Sequence, residues 1–428
     1  MDAATRSSPP AIDSALHQKF LGIVGRDHLR PTNNAVAGVR PQLILEPPTE
    51  KQLAEALRLA NESKLAVIPR GGGTKLCWGN PPSRGEIILS TSRLNKIIEH
   101  AWADLTVTVE AGCTIQTLQQ TLAKHGQRLA IDTLWPEHAT VGGILSTNDS
   151  GALRLRFGAL RDLIIGVTIA LPDGTLASSG GKVVKNVAGY DLPKLVTGAL
   201  GTLGVITRGV FRLHPLPRST RSFSVSTANP EEAQKLVLAI QDSTLAHVAL
   251  QSRFSAETSL SVDILFEGTE AGLDAQATQL HSLCGSARIF EASSAVWNAR
   301  EDFWSFCNSA ETAIAKVSTL PTDLARTIEL FRRVADSSHI SWKSLMYATG
   351  LGWLCLEGPA SQLHRAVTTS RAELEKMGGT LILLHHPAAL PPFDAWGTPG
   401  DSLPVMKSIK RQLDPANTLN PSRFISGI

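Results

Sequence analysis

The spacing of apolar and polar positions predicts mixed strands and helices in the first half of the chain. An apolar strand at 43–45 precedes a helix that Thr49 caps, with Gln52 completing a capping box, and a second apolar strand begins at Val67. A strand, a helix and a strand in so few residues predict a βαβ unit. Further elements are predicted at 86–90, 105–110, 163–171 and 175–178 as strands and at 114–124 as a helix.

The second half repeats one order of elements. Strand, helix, strand, strand, helix, strand is predicted over 223–290 and again over 314–384. Two such units in tandem predict one antiparallel sheet with helices covering one face. A connecting helix at 296–308 carries several aromatic side chains, for which core packing is the expectation. A last helix is predicted at 406–413.

Glycines cluster next to predicted strand ends, and the first cluster is the sharpest. Pro69 ends an apolar strand, and Gly71, Gly72 and Gly73 follow it directly. Three glycines permit positive φ and carry no Cβ, so successive N–H groups can turn toward one anion, such as a pyrophosphate. The pattern is not a Walker A loop, because Lys75 is followed by leucine, and the Rossmann glycine pattern is absent after this strand.

Two further polar stretches follow in the first half. Residues 132–151 are rich in Gly, Ser, Thr and Asn, and we predict a long functional loop there, with a surface Ω-loop as the alternative. Residues 198–207 run from a glycine-rich turn into an apolar strand. Three such stretches at strand ends predict the walls of one elongated polar ligand site.

Composition narrows the class of protein. The chain has 428 residues, which predicts two or three lobes, and 43% hydrophobic and 18% charged residues are typical of a compact soluble protein. A net charge of +3 without a basic run gives no support for nucleic-acid binding. The five cysteines form no C-x-x-C pair, which argues against a disulfide framework, a zinc site or an iron–sulfur cluster in this chain and favours a reducing compartment. No stretch is apolar enough to span a bilayer, so a cytoplasmic location is expected.

The three glycine-rich and polar stretches described above, with a fourth at 185–192 (KNVAGYDL), resemble the vanillyl-alcohol-oxidase/p-cresol-methylhydroxylase-type FAD-binding family. More narrowly, they are similar to the FAD-binding E subunits of bacterial glycolate oxidases. The resemblance covers 36–217 and the terminal 414–421. It implies an α+β fold, with a two-lobed FAD-binding domain and an α/β cap domain built on an antiparallel sheet. The implied divisions are an N-terminal extension at 1–35, the FAD-binding domain at 36–217, the cap at 218–400 and a C-terminal return to the FAD-binding domain at 401–428.

The resemblance also implies roles for the three stretches. The first would bind the FAD pyrophosphate, the second would line the ribityl chain and the isoalloxazine, and Val205 and Ile206 would contact the adenine end or the flavin edge. The implied cofactor-binding residues are Pro69, Arg70, Gly71, Gly72, Gly73, Thr74, Thr140, Gly142, Gly143, Ser146, Asn148, Gly151, Gly204, Val205 and Ile206. Family members with covalent FAD have His where this chain has Thr74, or a Cys in the second stretch, which is absent here, so non-covalent FAD is expected.

The implied reaction is oxidation of a small 2-hydroxy acid, glycolate to glyoxylate, by FAD. Candidates for the catalytic base are His138, His385 and His386; the last two are adjacent, point to opposite faces of an extended segment and therefore predict no metal site. No base with an orienting partner is visible in the sequence. This favours a subunit that works with a catalytic flavoprotein subunit and an iron–sulfur subunit that takes the electrons, with peripheral inner-membrane association through those partners. A self-sufficient FAD enzyme for another small 2-hydroxy acid or alcohol, and a non-catalytic assembly subunit, remain alternatives.

Overall fold

A computed structural model describes residues 12–36, 38–182, 189–256, 260–306, 311–387 and 393–428. The residues outside these ranges include 185–188 of the fourth motif and Cys307. The described strands form sheets of four, five, two and eight strands. No described helix is both long and apolar enough to cross a membrane.

The four-stranded sheet carries the first glycine cluster at the end of a buried strand. Its elements are α1 (Ser14–Val24), β1 (Leu29–Pro31), β2 (Leu43–Leu45), α2 (Glu50–Glu62), β3 (Val67–Arg70) and β4 (Ile87–Ser90). β2 and β3 both pair in parallel with β4, which confirms the βαβ unit. Thr49 accepts the Gln52 backbone N–H, but Gln52 Oε1 accepts from the Thr49 hydroxyl at 2.7 Å and not from the Thr49 N–H, so the predicted capping box is wrong.

The five-stranded sheet is antiparallel and has the order β5-β6-β10-β8-β9. The elements of this region are β5 (Ile97–Ala101), β6 (Thr106–Glu110), α3 (Ile115–Ala123), β7 (Gln127–Arg128), α4 (Val141–Thr147), α5 (Arg154–Phe157), α6 (Leu160–Leu163), β8 (Ile164–Ala170), β9 (Leu176–Gly180), α7 (Leu192–Val196), β10 (Val205–Arg212) and β11 (His214–Pro215). The β8–β9 hairpin and β10 confirm the predicted strands, whereas β5 is not predicted.

The long polar loop predicted over 132–151 is wrong at its centre, where the chain forms α4. Thr140 caps this helix by accepting the Gly143 N–H, and Val141, Ile144 and Leu145 are buried. Apolar residues at that spacing face one core, so the stretch folds as a helix although its composition is typical of a loop. The Ω-loop alternative is also wrong for this reason.

The second half forms one eight-stranded antiparallel sheet, as predicted. Its elements are β12 (Ser219–Thr227), α8 (Pro230–Asp242), β13 (His247–Ser255), β14 (Leu260–Gly268), α9 (Glu270–Cys284), β15 (Ile289–Ala292), α10 (Ala299–Asp302), β16 (Thr312–Ser318), α11 (Leu324–Ser338), β17 (Ser341–Tyr347), β18 (Leu351–Glu357), α12 (Ala360–Lys376) and β19 (Thr380–His385). The order β15-β12-β14-β13-β17-β18-β16-β19 places the two repeats side by side as mirrored halves. The predicted helix at 296–308 is wrong, because only α10 is α-helical and 3-10 turns flank it.

Alternate residues of β16 show how this sheet is covered on both faces. Ala313, Ala315 and Val317 pack into the core formed with α8, α11 and α12. Ile314 packs on the opposite face, in a cluster that includes Trp78 and residues 134 and 152 from the first half. The second face of the sheet therefore closes over the N-terminal half of the chain.

The C-terminal segment returns to the first sheet. Helix α13 (Leu403–Leu413) leads to Leu419, which forms a parallel bridge with Val67, and the Asn420 N–H donates to the Val67 carbonyl at 3.0 Å. Lys410 anchors the turn by donating to the carbonyls of Thr202 and Leu419 and to the Asp414 carboxylate. The end of the chain is thereby fixed beside the first glycine cluster.

Candidate functional site

A cleft opens where β3 ends, α4 begins and the chain enters β10. It is lined by Pro69, Arg70, Gly71, Gly72, Gly73, Thr74, Thr140, Gly142, Gly143, Ser146, Gly204, Val205 and Ile206, all of which the sequence singled out. Asn148 and Gly151 lie outside this lining. Asn148 ends α4 in the left-handed conformation, and a Cβ on Gly151 would lie 2.4 Å from the Asp132 carboxylate. The three stretches therefore converge on one concave surface.

Sequence reasoning missed part of the lining. The cleft also includes Lys75, Leu76, Thr91, Thr147, Leu200, Gly201, Asn420 and Arg423. Lys75 and Gly201 belong to the motifs of the resemblance, and Asn420 belongs to its terminal segment, so a signal for these was present. Arg423 has no such signal, because only the return of the chain after α13 brings it to the cleft.

The first two glycines of the cluster are needed for close packing, not for positive φ. Only Gly73 has a positive φ, of 79°. A Cβ on Gly71 would lie 2.1 Å from Thr140 Oγ1, and one on Gly72 would lie 1.7 Å from the His138 carbonyl oxygen. The positive φ that glycine permits is therefore used only at Gly73. The stretch before α4 comes so close to Gly71 and Gly72 that neither position has room for a side chain.

The same loop presents unpaired donors to the cleft. Within the described ranges, the backbone N–H groups of Gly71, Gly72, Gly73 and Thr74 make no hydrogen bond. Gly71, Gly73 and Thr74 are half-buried and Gly72 is exposed, so four successive amides at a strand end remain open to an anion. This geometry fits the diphosphate of a dinucleotide.

A buried carboxylate joins the cleft to the second half of the chain. Asp149 accepts from Lys75 at 3.1 Å and from Arg300 at 3.0 Å, and all three side chains are almost fully buried. The Leu134 N–H also donates to Asp149, at 3.1 Å. Burial alone would raise the pKa of Asp149, but Lys75 and Arg300 hold it below its ordinary value. One carboxylate is thus shared by two cations, and the three charges bridge the two halves.

Aromatic rings surround this bridge. Trp304 stacks on Trp78 with a centroid distance of 6.1 Å and meets Trp135 edge-on at 5.2 Å. The Lys75 ammonium lies 5.3 Å from the centroid of Trp135. Arg300 lies 5.5 Å from the ring of Trp353, which belongs to the sheet of the second half. These rings pack around the ion pairs, whose charged side chains are almost fully buried.

The sheet places a titratable lysine opposite the bridge. Lys316 is on the face of β16 that carries Ile314 and not on the helix-covered face. Burial lowers the pKa of Lys316 to about 8; Asp149 opposes this shift, and Arg154, Arg300 and Arg161 add to it. Burial also raises the pKa of Tyr347, so its hydroxyl stays protonated. Lys316 can therefore exchange a proton close to neutral pH.

Replacing this lysine makes the stability of the protein less dependent on pH. At pH 7 the folded protein holds Lys316 charged in a partly desolvated site, whereas the unfolded chain keeps an ordinary lysine pKa. Between pH 8 and pH 10 the unfolded state binds more protons, so the stability contributed by this site rises with pH. We expect Lys316→Met to be more stable than the wild type at pH 7, with the gap closing by pH 10 in thermal unfolding. A gap that widens with pH contradicts the assignment.

The three predicted histidines lie in different surroundings. His138 is exposed, and its carbonyl oxygen faces Gly72. His385 ends β19 beside Trp304, and burial, with a smaller effect of His386, lowers its pKa. His385 Nε2 is buried and has no hydrogen-bond partner in the described part of the chain, whereas His386 Nδ1 lies 2.9 Å from the Pro387 carbonyl oxygen. Among the described residues, no three His, Cys, Asp or Glu side chains are placed to hold a metal ion.

Sequence comparisons connect this geometry with known proteins. A family model described as an FAD binding domain matches residues 41–180. The chain is 25% identical to the glycolate oxidase subunit GlcD of Bacillus subtilis (strain 168), covering 90% of this chain and 89% of that protein. It is also 25% identical to the mitochondrial D-lactate dehydrogenase [cytochrome] of Arabidopsis thaliana, covering 93% of this chain and 76% of the relative.

A comparison with solved structures shows which proteins share this fold. The structure of p-cresol methylhydroxylase with substrate bound superposes with a TM-score of 0.75 at 16% identity, covering 95% of each chain. At that identity the likeness concerns the fold, and it extends over both halves of the chain.

Proposed function

We propose that the chain is an FAD-dependent oxidoreductase and forms the FAD-binding subunit of a glycolate oxidase complex. In this proposal the FAD lobe is 36–217, the cap is 218–400, and 401–428 returns to the FAD lobe. The complex oxidises glycolate to glyoxylate and passes the electrons to an iron–sulfur partner.

The observation that carries the proposal is the converging cleft with its free amides. The N–H groups of residues 71–74 are unpaired within the described ranges, and they lie at the end of a buried strand where a diphosphate can reach all of them. Thr74 follows the glycines, and the described cysteines are absent from the lining of the cleft. FAD is therefore held without a covalent bond.

The remaining residues suit the oxidation of a 2-hydroxy acid. Bound FAD would supply the acceptor for the hydride that leaves the hydroxyl-bearing carbon. Lys316, when charged, attracts the substrate carboxylate to the inner face of the cap sheet, and Tyr347 offers a protonated hydroxyl on that face. His385 is the base candidate that we favour, because its lowered pKa keeps it neutral at pH 7 and its Nε2 has no partner among the described residues. His138 and His386 remain candidates of lower rank.

The surroundings of His385, the favoured base candidate, support the subunit role. A strong catalytic base needs a second group that orients it. In the described residues, His385 has an aromatic neighbour but no carboxylate or carbonyl hydrogen-bonded to its ring. The proposal therefore includes a catalytic flavoprotein subunit and an iron–sulfur subunit as partners. Any association with the inner membrane is through those partners.

One observation favours a second candidate function. The similarity to the D-lactate dehydrogenase of Arabidopsis extends over 93% of this chain. Under this alternative the chain is a self-sufficient FAD dehydrogenase of another small 2-hydroxy acid.

Flavin absorbance distinguishes these functions. We expect the purified chain to be yellow, to keep its flavin spectrum when glycolate is added anaerobically, and to be bleached by glycolate only after its partner subunits are added. Bleaching of the isolated chain by glycolate or D-lactate would favour the self-sufficient enzyme. A colourless chain that FAD cannot reconstitute contradicts both functions and leaves the non-catalytic assembly role.

A further inference from the structure

The C-terminal segment brings a buried cation to the cleft. Arg423 is 3% exposed and lines the cleft together with Asn420. The pairing of Leu419 and Asn420 with Val67 fixes this segment against the strand that ends in the first glycine cluster. The backbone of Arg423 is also fixed, because its N–H donates to the Asn420 carbonyl at 3.2 Å and its carbonyl accepts from the Asn80 N–H at 3.0 Å.

The guanidinium of Arg423 is only partly satisfied. Its Nη2 donates to the carbonyl oxygens of Leu76 and Trp78, the latter at 3.2 Å, with a longer contact to Lys75 at 3.5 Å. Its Nε and Nη1 are buried and have no hydrogen-bond partner among the described residues. No carboxylate in the described ranges forms an ion pair with Arg423. A buried cation without a counter-charge is costly, so an anion is expected beside it.

The position of the guanidinium indicates which anion this is. The carbonyls that Arg423 holds belong to residues 75–78, which directly continue the loop with the free amides at 71–74. Amides and guanidinium thus act on one end of the same cleft, and an arginine fork is suited to phosphate oxygens. We propose that Arg423 binds the diphosphate of FAD at the same end of the cleft as the glycine loop. This inference rests on the proposed function.

The competing explanation is that Arg423 only holds the loop at 75–78 in place. Both roles predict weaker ADP binding, because the loop at 75–78 continues the amides at 71–74, so the two roles differ in the ligand-free protein. A direct contact to the diphosphate leaves the hydrogen exchange of residues 71–78 in the ligand-free protein as in the wild type, whereas a distorted loop makes that exchange faster. We expect Arg423→Gln to weaken binding of ADP to the FAD-depleted protein by about 10- to 150-fold and to leave adenosine binding unchanged.

Calorimetric titrations with ADP and with adenosine, on wild type and variants, test this. Arg423→Lys keeps the charge but loses the fork, so its ADP affinity should lie between those of the wild type and Arg423→Gln. It also supplies a folded variant if the glutamine variant does not fold. Arg411→Gln is the matched control, because Arg411 is exposed on α13, and it should bind ADP like the wild type.

The outcomes separate the two proposals. Faster hydrogen exchange of residues 71–78 in both ligand-free Arg423 variants, equal loss of ADP and adenosine binding, or no loss of ADP binding in either variant overturns the role of Arg423. A wild-type chain that binds neither FAD nor ADP overturns the proposed function itself.

Discussion

Replacing Asp149 with alanine should destabilise the protein by about 3–5 kcal/mol, because it leaves two buried cations without their shared counter-charge. Lys75 and Arg300 come from different halves of the chain, and the Asp149 side chain is fully buried between them. For a chain of this length the unfolding midpoint should fall by roughly 3–6 °C. Differential scanning calorimetry or tryptophan fluorescence would measure the change.

Two control variants show whether charge is the cause. Asp149→Asn keeps hydrogen-bond acceptance but removes the charge, so it should also be strongly destabilised. Glu62→Ala breaks an exposed pair with Arg58 on α2 and should change stability by less than about 1 kcal/mol. If Asp149→Ala unfolds within 1 °C of the wild type, the buried bridge contributes little and the explanation fails.

Replacing Gly72 with alanine should remove most of the bound FAD. The new Cβ would lie 1.7 Å from the His138 carbonyl oxygen, so either the glycine loop or the stretch before α4 must move. Overpacking of this kind costs about 1–3 kcal/mol, which is about a 5- to 150-fold loss of affinity when it displaces the binding amides. Gly72→Val should purify colourless. The measurement is flavin absorbance per mole of protein.

Gly22→Ala is the matched control for the glycine variant. The substitution is chemically the same, but a Cβ at Gly22 in α1 meets nothing within 4 Å. This control should be as yellow as the wild type. Circular dichroism should show that Gly72→Ala keeps its secondary structure, since the sheet of the second half does not depend on this loop. A fully yellow Gly72→Ala protein would mean that the loop is a simple turn.

Local patterns in the sequence were sufficient where a single element decides the structure. Alternation and helical spacing predict the tandem repeat of the second half and its eight strands, because each element buries one face of its own residues. The local patterns give the wrong prediction at α4. The composition there is typical of a loop, but the chain forms a helix because Val141, Ile144 and Leu145 are buried on one face. The local patterns also miss the close contacts at Gly71 and Gly72, since the groups that approach them come from residues 138 and 140.

The sequence by itself determined the order of the elements, the glycine-rich strand ends and the family that they resemble, because these depend on neighbouring residues. The tertiary structure alone decided the contacts between distant residues. Asp149 meets a lysine 74 positions before it and, across the two halves, an arginine 151 positions after it, and Arg423 reaches carbonyls about 350 positions away. No periodicity encodes such pairs. They arise because the eight-stranded sheet closes over the first half and because the terminal segment pairs with Val67.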